Sequence, residues 1–93
     1  GGAYIAVPDE AIYEGISETG KYGVFAEPAG ATAYVGMREA ARRGLIGAED
    51  QVVVVNTGSG MKDIRSAVVA TGEAKSIDPT MSALEAFLAE RSK

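Results

Sequence analysis

The 93-residue sequence contains neither cysteine nor histidine. Without cysteine the chain has no disulfide framework and no thiolate ligand for a metal ion. Without histidine it has no Ser-His-Asp or Cys-His catalytic machinery of its own and no imidazole ligand. The absence of cysteine is compatible with the cytosol, and a cytoplasmic location is our expectation.

Positive charge is also scarce, because 13 aspartates and glutamates outnumber 9 lysines and arginines and give a formal net charge of −4. The sequence has no basic stripe, and its few aromatic residues are not interleaved with lysine or arginine, which argues against nucleic-acid binding. No apolar run has the length of a membrane span, and no signal peptide is recognisable. These features predict a protein that binds neither nucleic acid nor membrane.

The length suits one small domain, and a hydrophobic content of 46% can supply its core. The chain opens directly with Gly1-Gly2-Ala3, without an initiator methionine or a polar tail. A processed protein would start this way, and so would a piece of a larger one. We expect residues 1–93 to be a single domain that is part of a larger protein.

The segment Gln51–Asp63 carries the strongest signal in the chain. Its four consecutive valines, Val52–Val55, cannot alternate between core and solvent, which favours a strand buried on both faces, as in a parallel sheet. Asn56 and Thr57 follow at the carboxyl end of that strand, where ligands bind in open α/β sheets. The residues alone favour a tight turn over a ligand site, because Gly58-Ser59-Gly60 is a weak pattern, and the spacing does not fit a P-loop.

Proline and glycine divide the rest of the chain into elements. Three helices are predicted: Asp9–Thr19 ended by Gly20, Pro28–Arg43 ended by Gly44, and a last helix that begins at Asp78-Pro79 with Asp78 as its cap and has the apolar stripe Met81, Leu84, Phe87 and Leu88. Two segments are less regular: Ala3–Val7 is predicted to be a short strand or extended, and Met61–Val69 is either a helix or extended. The pattern predicts an α/β, three-layer fragment with a short parallel sheet flanked by helices.

Two other segments are candidates for chemistry. The start of the second helix could attract an anion, but Glu27 already supplies negative charge there, so a helix whose small residues pack on the sheet is favoured. Lys62 could form an imine with a carbonyl compound, but an ion pair with Asp63 is favoured. The neighbouring carboxylates Asp9-Glu10 and Glu49-Asp50 are expected to be solvated, and no metal site is predicted.

Residues 23–33 and 52–63 resemble the C-terminal part of the threonine synthase family. The first stretch reads Gly-Val-Phe-Ala-Glu-Pro-Ala-Gly-Ala-Thr-Ala, and the second reads Val-Val-Val-Val-Asn-Thr-Gly-Ser-Gly-Met-Lys-Asp. Residues 1–12 resemble a further segment of the family, in the right order. Threonine and serine dehydratases share the Glu-Pro pattern, but the Thr-Gly-Ser-Gly-Met-Lys-Asp element favours the threonine synthases.

The resemblance implies that the chain is part of a fold type II large domain, of the tryptophan synthase beta-like kind, and that its cofactor is pyridoxal 5′-phosphate. It implies a carbon-oxygen lyase acting on phosphates, which converts O-phosphohomoserine and water to L-threonine and phosphate. The family's threonine at the position of Thr57 forms a hydrogen bond with the ring nitrogen of the cofactor. Gly58, Asn56, Glu27 and Ala29 match positions around the cofactor.

The same resemblance implies that the lysine that binds the cofactor covalently, and the glycine-rich loop that holds its phosphate, belong to an N-terminal part. We therefore expect a C-terminal fragment with no catalytic residue of its own, no covalent cofactor and no turnover when alone. Association with the N-terminal part, or a homo-oligomer, is expected. Two alternatives stay open: a fragment of a threonine or serine dehydratase-like enzyme, and a non-catalytic α/β module that pairs through an exposed sheet edge.

Overall fold

The computed structural model describes residues 1–92, which form four α-helices and one short 3₁₀ turn. The elements are α1 (Asp9–Lys21), α2 (Pro28–Arg42), the 3₁₀ turn Gly60–Lys62, α3 (Ile64–Thr71) and α4 (Met81–Arg91). Within this part of the chain there is no sheet, and the strand-like pairing is an isolated antiparallel bridge between Ala26 and Ser59. The predicted three-layer arrangement with a parallel sheet is therefore wrong for this chain, and so is a module with a sheet edge.

The valine segment, Val52–Val55, shows why the sheet prediction failed. Val53 and Val55 are 88% and 64% exposed, and no strand pairs with this segment among residues 1–92. Valine favours a strand because its branched side chain packs well against neighbours on a pleated surface. A strand also needs a second strand for its backbone hydrogen bonds, and the described residues do not provide one. Ala3–Val7 likewise forms no strand.

The first two helices begin where the sequence predicts them, at Asp9 and Pro28. The predicted end of α1 is wrong, because the helix continues through Gly20 to Lys21. The chain instead turns at Gly23, whose φ of +84° is a conformation that a residue with a Cβ rarely adopts.

The last two helices each begin with a side-chain cap. In α4 the cap is Thr80, not Asp78, and its Oγ1 accepts a hydrogen bond from the backbone N–H of Ala83 at 3.2 Å. In α3 the cap is Asp63, whose Oδ1 accepts a hydrogen bond from the backbone N–H of Ser66 at 3.0 Å. These caps satisfy backbone donors that the first helical turn leaves free. The ambiguous stretch after Gly60 is thus helical.

The core is small and lies where α1 packs against α2 and α3. Its buried apolar side chains are Ile16, Ala26, Ala31, Val35 and Ala40. Gly15 of α1 lies against Val35 of α2 so closely that a Cβ at position 15 would meet the valine side chain. Ala31 of α2 also lies in the core with Ile16 of α1, so it packs against another helix, whereas the sequence predicted that the small residues of α2 pack against a sheet.

A polar network joins the exposed edges of α1 and α2. The carboxylate of Glu18 accepts hydrogen bonds from the Tyr34 hydroxyl at 2.9 Å and from Nη1 of Arg38 at 2.5 Å. The bond from Tyr34, followed by that from Arg38, lowers the pKa of Glu18. The same bond from the hydroxyl raises the pKa of Tyr34, since the tyrosine must stay protonated to donate it. This network fixes how α2 is rotated against α1.

The molecule is elongated. Its radius of gyration of 17.1 Å exceeds the value of about 12 Å for a compact domain of this length. None of the residues of α4 is buried, and the longest dimension is 59 Å. Across residues 1–92, no helix combines the length and the hydrophobicity that spanning a bilayer requires.

Candidate functional site

The candidate site lies where two segments that are distant in sequence meet. The Glu-Pro segment (residues 25–30) leads into α2, and the glycine segment (residues 56–60) follows the valine segment. The backbone N–H of Glu27 donates to the carbonyl of Gly58 at 3.2 Å, and the N–H of Gly60 donates to the carbonyl of Phe25 at 2.9 Å. These two bonds form the bridge described above and fix the register of one segment against the other.

Glycine residues let the two segments interlock. Each of three glycines is covered by a side chain of the opposite segment: Gly30 by Asn56, Gly58 by Glu27, and Gly60 by Phe25. At each position a Cβ atom would collide with the covering side chain. Any larger residue would therefore push the two segments apart or displace the side chain.

The carboxylate of Glu27 has a charged partner. Its Oε1 lies 3.7 Å from Nζ of Lys62, and the two side chains are 18% and 63% exposed, respectively. Lys62 therefore pairs with Glu27, and not with Asp63 as the sequence suggested. Both oxygens of Asp63 accept hydrogen bonds from Ser66, from its backbone N–H and from its hydroxyl, which lowers the pKa of Asp63.

The structure brings together most of the residues predicted for the site. Asn56 and Gly58 contact the Glu-Pro segment, and Glu27 contacts Gly58. Thr57 lies between these two anchored residues and is exposed, so its hydroxyl is accessible to a ligand. Ala29 is exposed in the first turn of α2, one residue before Gly30, and lies at the margin of the site.

A cavity of about 270 Å³ adjoins this crossing. It is lined by the end of α1, the first turns of α2 and the valine segment, and includes Asn56, Gly30 and Tyr34. A larger cavity of about 600 Å³ lies between α1 and α3, and none of the predicted site residues lines it. Of the residues predicted for the site, Asn56 lines the smaller cavity, and we place the candidate site at the crossing itself, where Glu27 and Gly58 meet.

Sequence reasoning missed the partners that hold the site together. The covering roles of Phe25 and Asn56 and the ion pair of Lys62 depend on contacts between segments far apart in the chain. Two glycines spaced two residues apart, Gly58 and Gly60, are a signal of close backbone approach. The side chains that approach them cannot be identified from that signal alone.

The comparisons with known proteins concern this region directly. The family of pyridoxal-phosphate dependent enzymes matches residues 1–58, which contain the Glu-Pro segment and the first half of the glycine segment. This chain belongs to that family. The matched residues include every residue predicted for the site, from Glu27 to Gly58.

Among pyridoxal-phosphate dependent enzymes, a threonine synthase of Methanocaldococcus jannaschii is 35% identical to this chain over 91 residues. The alignment covers 97% of this chain and 22% of the archaeal protein, so the chain spans about a fifth of the length of this relative. No solved structure matches the chain at a significant level.

The cofactor of this family is pyridoxal phosphate, and the glycine segment fits one end of it. The accessible hydroxyl of Thr57 can donate a hydrogen bond to a pyridine nitrogen. The glycines that follow it, Gly58 and Gly60, are covered by Glu27 and Phe25, which hold the backbone after Thr57 against the Glu-Pro segment. Lys62, a cation close to this segment, is already paired with Glu27. The hydroxyl of Thr57 is therefore a donor suited to the ring nitrogen of the cofactor.

Proposed function

We propose that this chain is the C-terminal part of a threonine synthase and forms the side of the active site that holds the ring nitrogen of pyridoxal phosphate. One observation carries the proposal: Thr57 presents an accessible hydroxyl between Asn56 and Gly58, and both of these residues are locked against the Glu-Pro segment. The similarity to a threonine synthase over 97% of the chain supports this choice within the family.

The proposed reaction converts O-phosphohomoserine and water to L-threonine and phosphate. The bond between the γ carbon and the phosphate oxygen breaks and a proton is added at the γ carbon, while the hydroxyl group of water replaces a hydrogen at the β carbon and the remaining proton of water goes to phosphate. Pyridoxal phosphate, when bound, supplies the electron sink that stabilises negative charge on the substrate carbons. The substrate and the cofactor phosphate would be held by a further part of the enzyme, of which residues 1–93 are one domain-sized unit.

The residues of this chain act by holding one atom of the cofactor in a defined electrostatic state. The Thr57 hydroxyl donates a hydrogen bond to the ring nitrogen, and because it is neutral it leaves that nitrogen unprotonated. A carboxylate at the same position would instead favour the protonated ring. Gly58 leaves room for the Glu27 side chain, and Asn56 and Glu27 keep the backbone on either side of Thr57 in place.

A chimera tests the proposed reaction. The archaeal threonine synthase would carry this chain in place of its own matched region, and phosphate and threonine formation from O-phosphohomoserine would be measured. We expect activity in the chimera, a loss of at least about tenfold in kcat/KM for Thr57→Val, since the hydrogen bond is lost in a desolvated site, and near-normal activity for Thr57→Ser. A cofactor-loaded chimera that releases ammonia from threonine or serine, and no phosphate from O-phosphohomoserine, would identify a dehydratase-like enzyme and contradict the proposal.

The chain by itself is proposed to be inactive. The residues described here offer a partner for the ring nitrogen, and we expect no covalent attachment of pyridoxal phosphate and no turnover. Titration of the 93-residue chain with the cofactor, followed by borohydride reduction and mass spectrometry, measures covalent attachment at a single site. A stoichiometric adduct at one lysine, together with threonine formation, would overturn this expectation.

A further inference from the structure

We propose that Lys62 is a positioning residue for Thr57 and acts through the carboxylate of Glu27. This inference rests on the proposed function, because it assigns a role to the surroundings of the hydroxyl that would meet the cofactor. Lys62 is connected to Thr57 through a series of contacts. The contact nearest to Thr57 is between Glu27 and Gly58, the residue directly after Thr57. Their backbones share a hydrogen bond of 3.2 Å, and the Glu27 side chain covers the α carbon of Gly58.

The carboxylate of Glu27 does not cap α2, although Glu27 is in the position of a helix cap. Glu27 is the residue that precedes α2, where a side chain often caps the helix, yet its carboxylate makes no capping hydrogen bond. It is directed instead across the crossing to Gly58 and Lys62. A carboxylate that is only 18% exposed needs a counter-charge or hydrogen-bond donors, and Lys62 at 3.7 Å supplies the counter-charge.

The backbone around Lys62 is itself well ordered. The Ser59 carbonyl accepts a hydrogen bond from the N–H of Lys62 at 3.1 Å, and the Ser59 hydroxyl accepts one from the N–H of Met61 at 3.2 Å. This 3₁₀ turn carries the lysine back over the segment from which the chain has just come. The contacts therefore close a ring that runs from Thr57 through Gly58 to Glu27, on to Lys62, and back along the turn to Ser59.

Contacts on both sides of Thr57 hold its hydroxyl in one direction. On the other side of Thr57, Asn56 is anchored against Gly30. Loss of the lysine charge would free the Glu27 carboxylate to move toward water and uncover Gly58. One of the two anchors beside Thr57 would then be lost, and the hydrogen bond to a ring nitrogen would be weakened without any change in Thr57 itself.

The experiment compares two ligands that differ at one atom. Pyridoxine 5′-phosphate has the cofactor ring but no aldehyde to react with lysines, and its 1-deaza analogue has a C–H group in place of the ring nitrogen. Their binding to the chimera with the archaeal threonine synthase, prepared without cofactor, would be measured by nuclear magnetic resonance, from the shift of the Thr57 amide. The variants are Thr57→Val, Lys62→Met and Lys62→Arg, with Lys75→Met as a control that removes the same charge beside Phe87.

We expect Lys62→Met to weaken binding of pyridoxine 5′-phosphate by about threefold to fivefold, as the loss of one partly exposed ion pair would predict. Binding of the 1-deaza analogue should change less than about twofold, because that ligand cannot use the hydroxyl. Lys62→Arg should restore the difference between the two ligands, and Lys75→Met should leave it unchanged. In addition, the amide protons of Glu27 and Gly60 should exchange faster with solvent in Lys62→Met.

The outcomes separate this inference from the function on which it rests. If Thr57→Val weakens binding of pyridoxine 5′-phosphate more than binding of the 1-deaza analogue, but Lys62→Met weakens binding of both ligands equally or of neither, the positioning role is overturned and the proposed function stands. If Thr57→Val changes the binding of both ligands equally, or if neither ligand shifts the Thr57 amide, the proposed function is contradicted. In that case the amide exchange of Glu27 and Gly60 still decides whether Lys62 holds the two segments together, and unchanged exchange would refute it.

Discussion

Position 58 illustrates how a single residue decides the geometry of the site. A Cβ atom there would meet the Glu27 carboxylate, which is the movable end of a long side chain. An alanine can therefore be accommodated only if the carboxylate leaves its place over the backbone and separates from Lys62. The requirement for glycine comes from space and not from an unusual backbone angle, because Gly58 is not among the positive-φ glycines.

We expect Gly58→Ala to destabilise the chain by about 1 kcal/mol, at the low end of the cost of overpacking, because the clashing group can move. Gly36→Ala is the matched control: position 36 lies within α2 and has no atom near an added Cβ. That change should stabilise the helix by roughly 0.5–1 kcal/mol. Urea unfolding followed by circular dichroism measures both, and a Gly58→Ala variant as stable as Gly36→Ala would contradict the interlock.

The prediction of Thr57 as a site residue came through the resemblance to a family, because the residues alone favoured a tight turn. Glu27 was also predicted for the site, and the structure places it in contact with Gly58. Its ion pair with Lys62 was not predicted, because an adjacent carboxylate, Asp63, offered a nearer partner in sequence than the one that the fold supplies.

The helices show which elements local signals can determine. Proline and acidic residues at the starts of α1 and α2 predicted both positions, since these signals act within one turn. The short helix α3 was ambiguous because eight residues carry little periodicity. The cap of α4 was assigned to Asp78, yet Thr80 forms it. Pro79 therefore predicted that a helix begins nearby, but it did not predict the first residue of that helix.

The network between α1 and α2 predicts how the packing of these helices depends on pH. Glu18 has a lowered pKa in the folded chain, so its contribution is complete above the unfolded value of about 4.3 and is lost as the pH falls through the folded pKa. Tyr34 has a raised pKa, so its contribution is complete below about 10 and is lost as the pH rises through the folded value. Stability should therefore be highest between these limits.

Glu18→Gln should flatten both flanks of this profile, because it removes the acidic group and also the charged acceptor of the tyrosine hydroxyl. Glu14→Gln, a change of the same kind at an exposed position of α1, is the control and should leave both flanks unchanged. The free energy of unfolding in urea, measured across the pH range, decides between them. Equal profiles for the two variants would show that the network does not stabilise the contact between the helices.

At the scale of the whole molecule, the valine segment is the feature whose composition and exposure disagree. Its composition indicates a strand with both faces covered, whereas residues 1–92 cover neither Val53 nor Val55. Local preference shapes a backbone within a few residues, but a sheet exists only when several strands come together. This is why the sequence predicted a sheet that the described residues do not form.

A substitution at position 53 tests whether the valine segment is exposed in the chain alone and covered in the proposed larger enzyme. In the chain alone Val53 is 88% exposed, so Val53→Thr should change the free energy of unfolding by less than about 0.5 kcal/mol. In the chimera with the archaeal threonine synthase, a further part of the enzyme that covers the valine segment would bury the same hydroxyl without a partner, at a cost of about 1–3 kcal/mol. Val35→Thr is the control. Val35 is already buried between α1 and α2, so this substitution should destabilise both proteins. If Val53→Thr is tolerated equally well in the chimera, the further part of the enzyme does not cover the valine segment.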